Sequence, residues 1–241
     1  MKELRAKKAR EQTNYYAKKY KKEINHSIRN TTIYEKSPTD NIHSSGLREI
    51  IVRDTDTVSA LFDVVDKKVA ILNFASFKNP GGGYLRGCIA QEEALCMESV
   101  LYNVISTQTE FYEYNKKHTN KSMYLDRALY SEDVLFIKDN VKKKADVLTC
   151  ACPNKAASPI SKYKNTFYLK NRIDFVLSIF AAHPVDVIIL GAFGCGVFGQ
   201  NPKEVATLFK EGIDKIFDNK QIEIIFAIPP GPNYDNFLKI F

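Results

Sequence analysis

The stretch Asn79-Pro80-Gly81-Gly82-Gly83, set just after the apolar run Val69-Ala70-Ile71-Leu72-Asn73-Phe74, constrains this chain most. Three glycines after a proline suit neither helix nor strand. They suit a loop whose backbone approaches a ligand, because glycine lacks a Cβ and reaches φ > 0 cheaply. The apolar run before them reads as a buried strand. Gln91-Glu92-Glu93 follows after a seven-residue spacer. A strand, a backbone cradle and paired acids together imply a site where acid/base chemistry is done on a phosphate-bearing ligand. Acids at a helix start are also favoured by the helix dipole, so capping is the alternative role. Adjacent residues do not share a helix face, so the two acids are expected to have different jobs.

A second glycine-rich loop, Gly191 to Gly199, follows an apolar strand expected over 185–190. Within it, Gly194-Cys195-Gly196-Val197-Phe198-Gly199 matches G-x-G-x-x-G, and Pro202 opens a helix expected to reach about residue 217. A dinucleotide-binding Rossmann unit also needs an acid at the end of the next strand. Here the next strand, over 222–228, runs into Pro229-Pro230, and Asp218 lies before it. A phosphate cradle is therefore expected without the Rossmann setting, and a tight packing turn is the alternative. No Gly-Lys-Ser/Thr follows either loop, which argues against a P-loop.

Strands alternating with helices point to a layered α/β sheet. Further strands are expected over 31–35, 49–53, 134–138 and 146–152. A helix over 57–66 is expected to be capped by Asp54 or Thr55, with Leu61, Phe62 and Val65 inward. Others are expected over 91–102, 107–117 and 166–182, the last burying Phe167, Leu169, Ile173, Val176, Leu177 and Phe180. Residues 154–164 read as a polar loop and 236–241 as a short tail. With no linker and no repeat, 1–241 is expected to be one domain.

The net charge of +7 belongs to one segment, since the first 30 residues hold ten Lys/Arg and three Glu and the remainder carries 25 of each sign. A basic helix over 1–30 leaves weak polyanion contact open, and a solvated face is the alternative. Ala9, Thr13, Tyr16 and Tyr20 follow a 4-3-4 spacing, so one side of it is expected to pack on the body. No apolar run approaches the ~20 residues of a membrane span, so a soluble chain is expected, cytoplasmic or, in a eukaryote, nuclear. The five cysteines lack framework spacing and read as reduced thiols, with Cys150 and Cys152 too close for a metal knuckle. His26, His43, His118 and His183 fit no ligand or base pattern. No metal and no cofactor are expected.

Gly81-Gly82-Gly83, the spacer and Gln91-Glu92-Glu93 resemble the signature of the poly(ADP-ribose) glycohydrolase family. The segments Leu72 to Tyr84 and Gln91 to Cys96 are similar to its compact microbial branch. Gly191 to Pro202 resembles that branch's second phosphate loop, and the basic N-terminal helix and Thr149-Cys150-Ala151-Cys152-Pro153-Asn154 also fit. The resemblance implies an α/β fold, a macrodomain-like three-layer α/β/α sandwich with a mixed central sheet and an extra N-terminal helix. It implies a catalytic pair in which Glu93 is the acid/base and Glu92, with Gln91, positions the distal ribose. Gly81, Gly82 and Gly83 would lie against ribose and diphosphate. Gly194, Cys195, Gly196, Val197 and Gly199 would wrap the diphosphate, with Phe198 on the distal ribose. Asn73 would stand near the adenine, Ser76 where animal-type relatives carry Asn, and Asn79 with Pro80 as a microbial feature of the binding set. The implied reaction is hydrolysis of ribose–ribose bonds in poly(ADP-ribose), or of a related linkage to an ADP-ribosylated macromolecule, releasing ADP-ribose from a monomeric enzyme. Hydrolysis of mono-ADP-ribosylated protein or DNA, or ADP-ribose binding without turnover, are the alternatives. The intact acid pair argues against the last.

Overall fold

The run Val69–Phe74 is buried at every residue but the last, as a parallel strand covered on both faces must be. It is the central strand of one seven-stranded sheet in the computed structural model, which describes residues 1–241. In chain order the strands are β1 (Thr31–Tyr34), β2 (Arg48–Arg53), β3 (Val69–Phe74), β4 (Ala128–Lys138), β5 (Val141–Cys150), β6 (Val187–Leu190) and β7 (Ile222–Ala227). Across the sheet they lie β1-β4-β5-β3-β6-β7-β2. The five from β5 to β2 are parallel, while β4 and β1 run antiparallel at one edge. The C-terminal ends of β3, β6, β7 and β2 therefore share one edge, where open α/β sheets bind ligands.

Alternate side chains of a strand point to opposite faces, and each face has its own core. Ala70, Leu72, Ile188 and Leu190 pack with α7 (Lys162–Ala181), α8 (Pro202–Ile216) and α9 (Pro232–Leu238). Val69, Ile71, Val187 and Ile189 pack with α1 (Lys2–Lys19), α2 (Lys21–Arg29), α3 (Thr57–Asp63), α4 (Gln91–Met97) and α5 (Leu101–Ile105). A further helix, α6 (Thr109–Lys117), follows α5. The result is the three-layer α/β/α sandwich with a mixed sheet. No helix is long and apolar enough to cross a membrane, and all five thiols are unpaired.

Several local expectations are corrected. The N-terminal helix is two helices that meet at Tyr20, where φ is −115°. Ala9 and Tyr20 are buried as the spacing predicts. The cap of α3 is Asp56, whose Oδ1 accepts from the N–H groups of Val58 and Ser59 at 2.9 Å. That helix ends at Asp63 and leaves Val65 71% exposed. The helix expected over 91–102 is broken where Ser99 bridges to Phe136 of β4. Phe167 faces solvent on α7, and the tail instead holds α9, with Phe237 buried.

Candidate functional site

The first glycine loop turns back at the end of β3. Gly81 and Gly82 have φ of 66° and 57°, a region cheap only for glycine. A Cβ on Gly82 would lie 2.8 Å from Oε1 of Glu93 and 2.9 Å from Oε2 of Glu92. Both carboxyls therefore close over this one residue, and no larger residue fits between them. The Gly83 N–H donates to Glu93 Oε1 at 2.8 Å, which fixes that carboxyl by the backbone.

The start of α4 positions the rest. Gln91 is stapled to the end of β3: its Oε1 accepts from Phe74 N and its Nε2 donates to Leu72 O, both at 2.8 Å. Both ends of its amide are thus used on the strand, so it holds the acid pair in place while lining the cavity. Glu92 is only 3% exposed. Its Oε2 accepts from Ser76 N at 2.7 Å, and Asn73 Nδ2 lies 3.4 Å from its Oε1. Burial pushes this carboxyl up to about 8, against the pull of those hydrogen bonds. Glu93 is half-buried and lines the cavity, with no second hydrogen bond within the protein. Of the two acids, burial thus favours the protonated form at Glu92.

Asn73 is fully buried behind the acids, with Nδ2 3.2 Å from Thr149 Oγ1 and Oδ1 unpartnered. It supports Glu92 from below and does not line the cavity. Asn79 is exposed at the loop shoulder, where its N–H donates to Ser76 Oγ at 3.2 Å and its carbonyl accepts from Gly82 N at 3.0 Å. Its structural role is to close the turn.

The second loop faces the first from the end of β6. Gly194 and Gly199 have φ of 76° and 68°, and a Cβ on Gly194 would lie 2.3 Å from the Cys152 sulfur. The N–H groups of Gly194, Gly196, Val197 and Phe198 make no hydrogen bond within the protein. Successive unpaired N–H groups on a glycine loop form an anion cradle. The Cys195 side chain turns into the core, where burial pushes its thiol up to about 12, so only its backbone belongs to the loop's inner surface. Val197 is 82% exposed at the tip. Phe198 lines the cavity and rests on Tyr124, with ring centroids 6.2 Å apart.

Between the loops lies a cavity of about 470 Å³ lined by Gly82, Glu92, Glu93, Gly194 and Phe198. A second cavity of about 440 Å³ adjoins it through Phe74, Ala90, Gln91 and Ala192, and extends to Asp56 and the Pro229-Pro230-Gly231 turn after β7. The two make one elongated cleft along the shared edge of the parallel strands. The β7 half was missed by sequence reasoning. Its signal was the proline–glycine cluster at a strand's C-terminal end.

The spacer between the glycines and the acids is held from outside by α1. Arg5 Nε donates to Gly87 O and Arg10 Nη1 to Leu85 O, both at 3.0 Å, and the Tyr84 hydroxyl donates to Ala9 O at 3.2 Å. Two arginines of the basic segment thus brace the spacer.

Comparison with known proteins gives a concordant picture. A family model described as microbial-type PARG, catalytic domain, matches residues 3–139. Among solved structures, poly(ADP-ribose) glycohydrolase from Thermomonospora curvata bound to the inhibitor ADP-HPD is 26% identical, with a TM-score of 0.83 over 99% of this chain and 100% of that chain. The enzyme from Deinococcus radiodurans in complex with ADP-ribose is 25% identical, with a TM-score of 0.80 over 90% of this chain and 96% of that one. No curated protein matches the sequence.

Proposed function

This chain belongs to the microbial-type poly(ADP-ribose) glycohydrolase catalytic-domain family, and from that premise we propose that it hydrolyses ribose–ribose bonds of poly(ADP-ribose) and releases ADP-ribose. The observation that carries the reading is the placing of one backbone-fixed carboxyl, Glu93, opposite an anion cradle across a cavity of about 470 Å³. ADP-ribose offers both matching parts, a diphosphate and an anomeric carbon one ribose away from it. The solved relatives hold ADP-ribose or ADP-HPD.

In the proposed reaction the diphosphate lies on the free N–H groups of the second loop, with Gly82 and Gly83 against it from the other side. Phe198 covers the distal ribose. Glu93 gives a proton to the leaving oxygen as the bond from that oxygen to the anomeric carbon breaks. The transition state is oxocarbenium-like, and the neighbouring diphosphate offsets its positive charge. Water then attacks the anomeric carbon and returns a proton to Glu93. Glu92, neutral below about pH 8, offers a hydrogen-bond donor to the sugar.

The test is a panel of long polymer, mono-ADP-ribosylated protein and ADP-ribosylated DNA, with released ADP-ribose quantified. Release from polymer is the expected result. Turnover of either mono-modified substrate alone reassigns the linkage, and tight ADP-ribose binding with no release from any of them makes the chain a binding module.

A further inference from the structure

A basic groove lies on the far side of the second glycine loop. It has a volume of about 640 Å³, and Lys155, Lys162 and Lys203 line it together with Glu204. All three lysines are exposed. The nearby ion pairs use Lys170 and Lys215, and none of these three takes part in one. The single acid, Glu204, is engaged by the Thr166 hydroxyl. The groove thus sets three cations against one carboxylate, in a chain whose charges balance outside its first 30 residues.

Lys155 and Asn201 of the groove border the loop that walls the cleft. Lys155 immediately precedes Ala156, whose N–H donates to Phe198 O at 3.1 Å, and a Cβ on Gly199 would sit 3.3 Å from Ala156 Cβ. On the other side Lys203 follows the loop by four residues. Buried Gln200 keeps this wall rigid, with hydrogen bonds of 2.8 Å to Pro153 O and 2.9 Å from Asn165 Nδ2. The groove thus begins one residue from the contact to Phe198, which lines the cleft.

We infer that the groove of Lys155, Lys162 and Lys203 binds the diphosphate of the polymer unit on the leaving-group side of the bond being cut. The inference rests on the polymer reading above. Each unit of poly(ADP-ribose) carries a diphosphate, so the unit outside the cleft presents two negative charges to the three lysines. The groove then adds affinity for polymer and none for free ADP-ribose, which ends inside the cleft.

The test compares wild type with the triple variant Lys155→Gln, Lys162→Gln, Lys203→Gln, after equal melting temperatures have shown that both are folded. Calorimetry reads the Kd for free ADP-ribose. Kinetics read kcat/KM on long polymer and on ADP-ribose joined to a small uncharged alcohol, over a range of salt. The expected result is an unchanged ADP-ribose Kd, unchanged turnover of the uncharged-alcohol substrate, and a fall on the order of tenfold on polymer at low salt. The slope of log kcat/KM against log salt should become shallower by up to about 1.4, at roughly 0.7 for each of the two phosphates that the lysines no longer neutralise. Equal polymer kinetics for both proteins at every salt overturn the inference, as does an equal fall on both substrates. Loss of duplex-DNA binding with polymer turnover retained assigns the groove to a nucleic acid and overturns it too. A wild type that binds ADP-ribose but never releases it from polymer refutes the polymer reading instead, and is recognisable before the variant is made.

Discussion

Replacing Glu92 with Gln should make the protein more stable at alkaline pH and change little at acidic pH. The folded state lifts this carboxyl from 4.5 to about 8 because burial penalises its charge. Folding therefore tightens proton binding, and between those two values the native state carries more protons than the unfolded one. Stability must fall as pH rises across that window, and be flat in this contribution below and above it. At about 1.4 kcal/mol for each tenfold in proton affinity, the loss is worth up to about 4–5 kcal/mol by pH 9. Glutamine keeps the shape and the carbonyl that accepts from Ser76 N–H, but it cannot ionise. The assay is thermal or urea unfolding of wild type and Glu92→Gln at several values from pH 5 to pH 9. Every other titrating group is common to both proteins, so the difference between the two curves isolates Glu92. The variant should gain on wild type steadily through neutrality, by on the order of 10 °C in melting temperature for a chain of this size. A difference that is the same at pH 5 and pH 9, or that narrows as pH rises, would refute the reasoning.

Two further predictions concern the glycines. Gly82→Ala places a methyl within 3 Å of both carboxyls at a φ of 57°, so hydrolysis should fall by at least about a hundredfold, the scale of losing one acid/base group, while the protein still folds. Full activity would show that the two carboxyls need not close over this residue. Gly87→Ala drives a Cβ to 2.1 Å from the Lys2 carbonyl oxygen at a φ of 72°. It should cost about 1–3 kcal/mol in denaturant unfolding, and wild-type stability would show that α1 does not brace the spacer closely.

What could be read in advance depended on how each element buries its surface. Strand β3 was legible to the residue, because two-sided burial makes a continuous apolar run. Strand β4 was half hidden. Its Ser131-Glu132-Asp133 stretch interrupts the apolar pattern at a register shift, where Asp133 takes a φ of 54°. The break between α4 and α5 leaves no mark in periodicity, since Ser99 itself satisfies the local backbone by donating to Leu95 O and accepting from Leu101 N. In the site, the glycine loops and the acid pair were legible from residue type and spacing. The depth at which each acid lies was not. Adjacent positions said only that Glu92 and Glu93 differ, and it took Asn73, Ser76 N–H and the depth of the strand end to show which one is buried. Arg5 and Arg10 look like solvated charge in a basic helix because nothing local reveals that a spacer some 75 residues away, by count from Arg10 to Leu85, presents its carbonyls to them.

The central claim is that Glu93 performs the chemistry in a cleft that binds ADP-ribose without its help. The most direct measurement pairs calorimetric ADP-ribose binding with release of ADP-ribose from polymer, for wild type and Glu93→Gln. The expected result is a Kd within a few-fold of wild type and a loss of release of at least about 10² to 10⁴, the range for one acid/base group. Retained release in the variant, with binding intact, would contradict it.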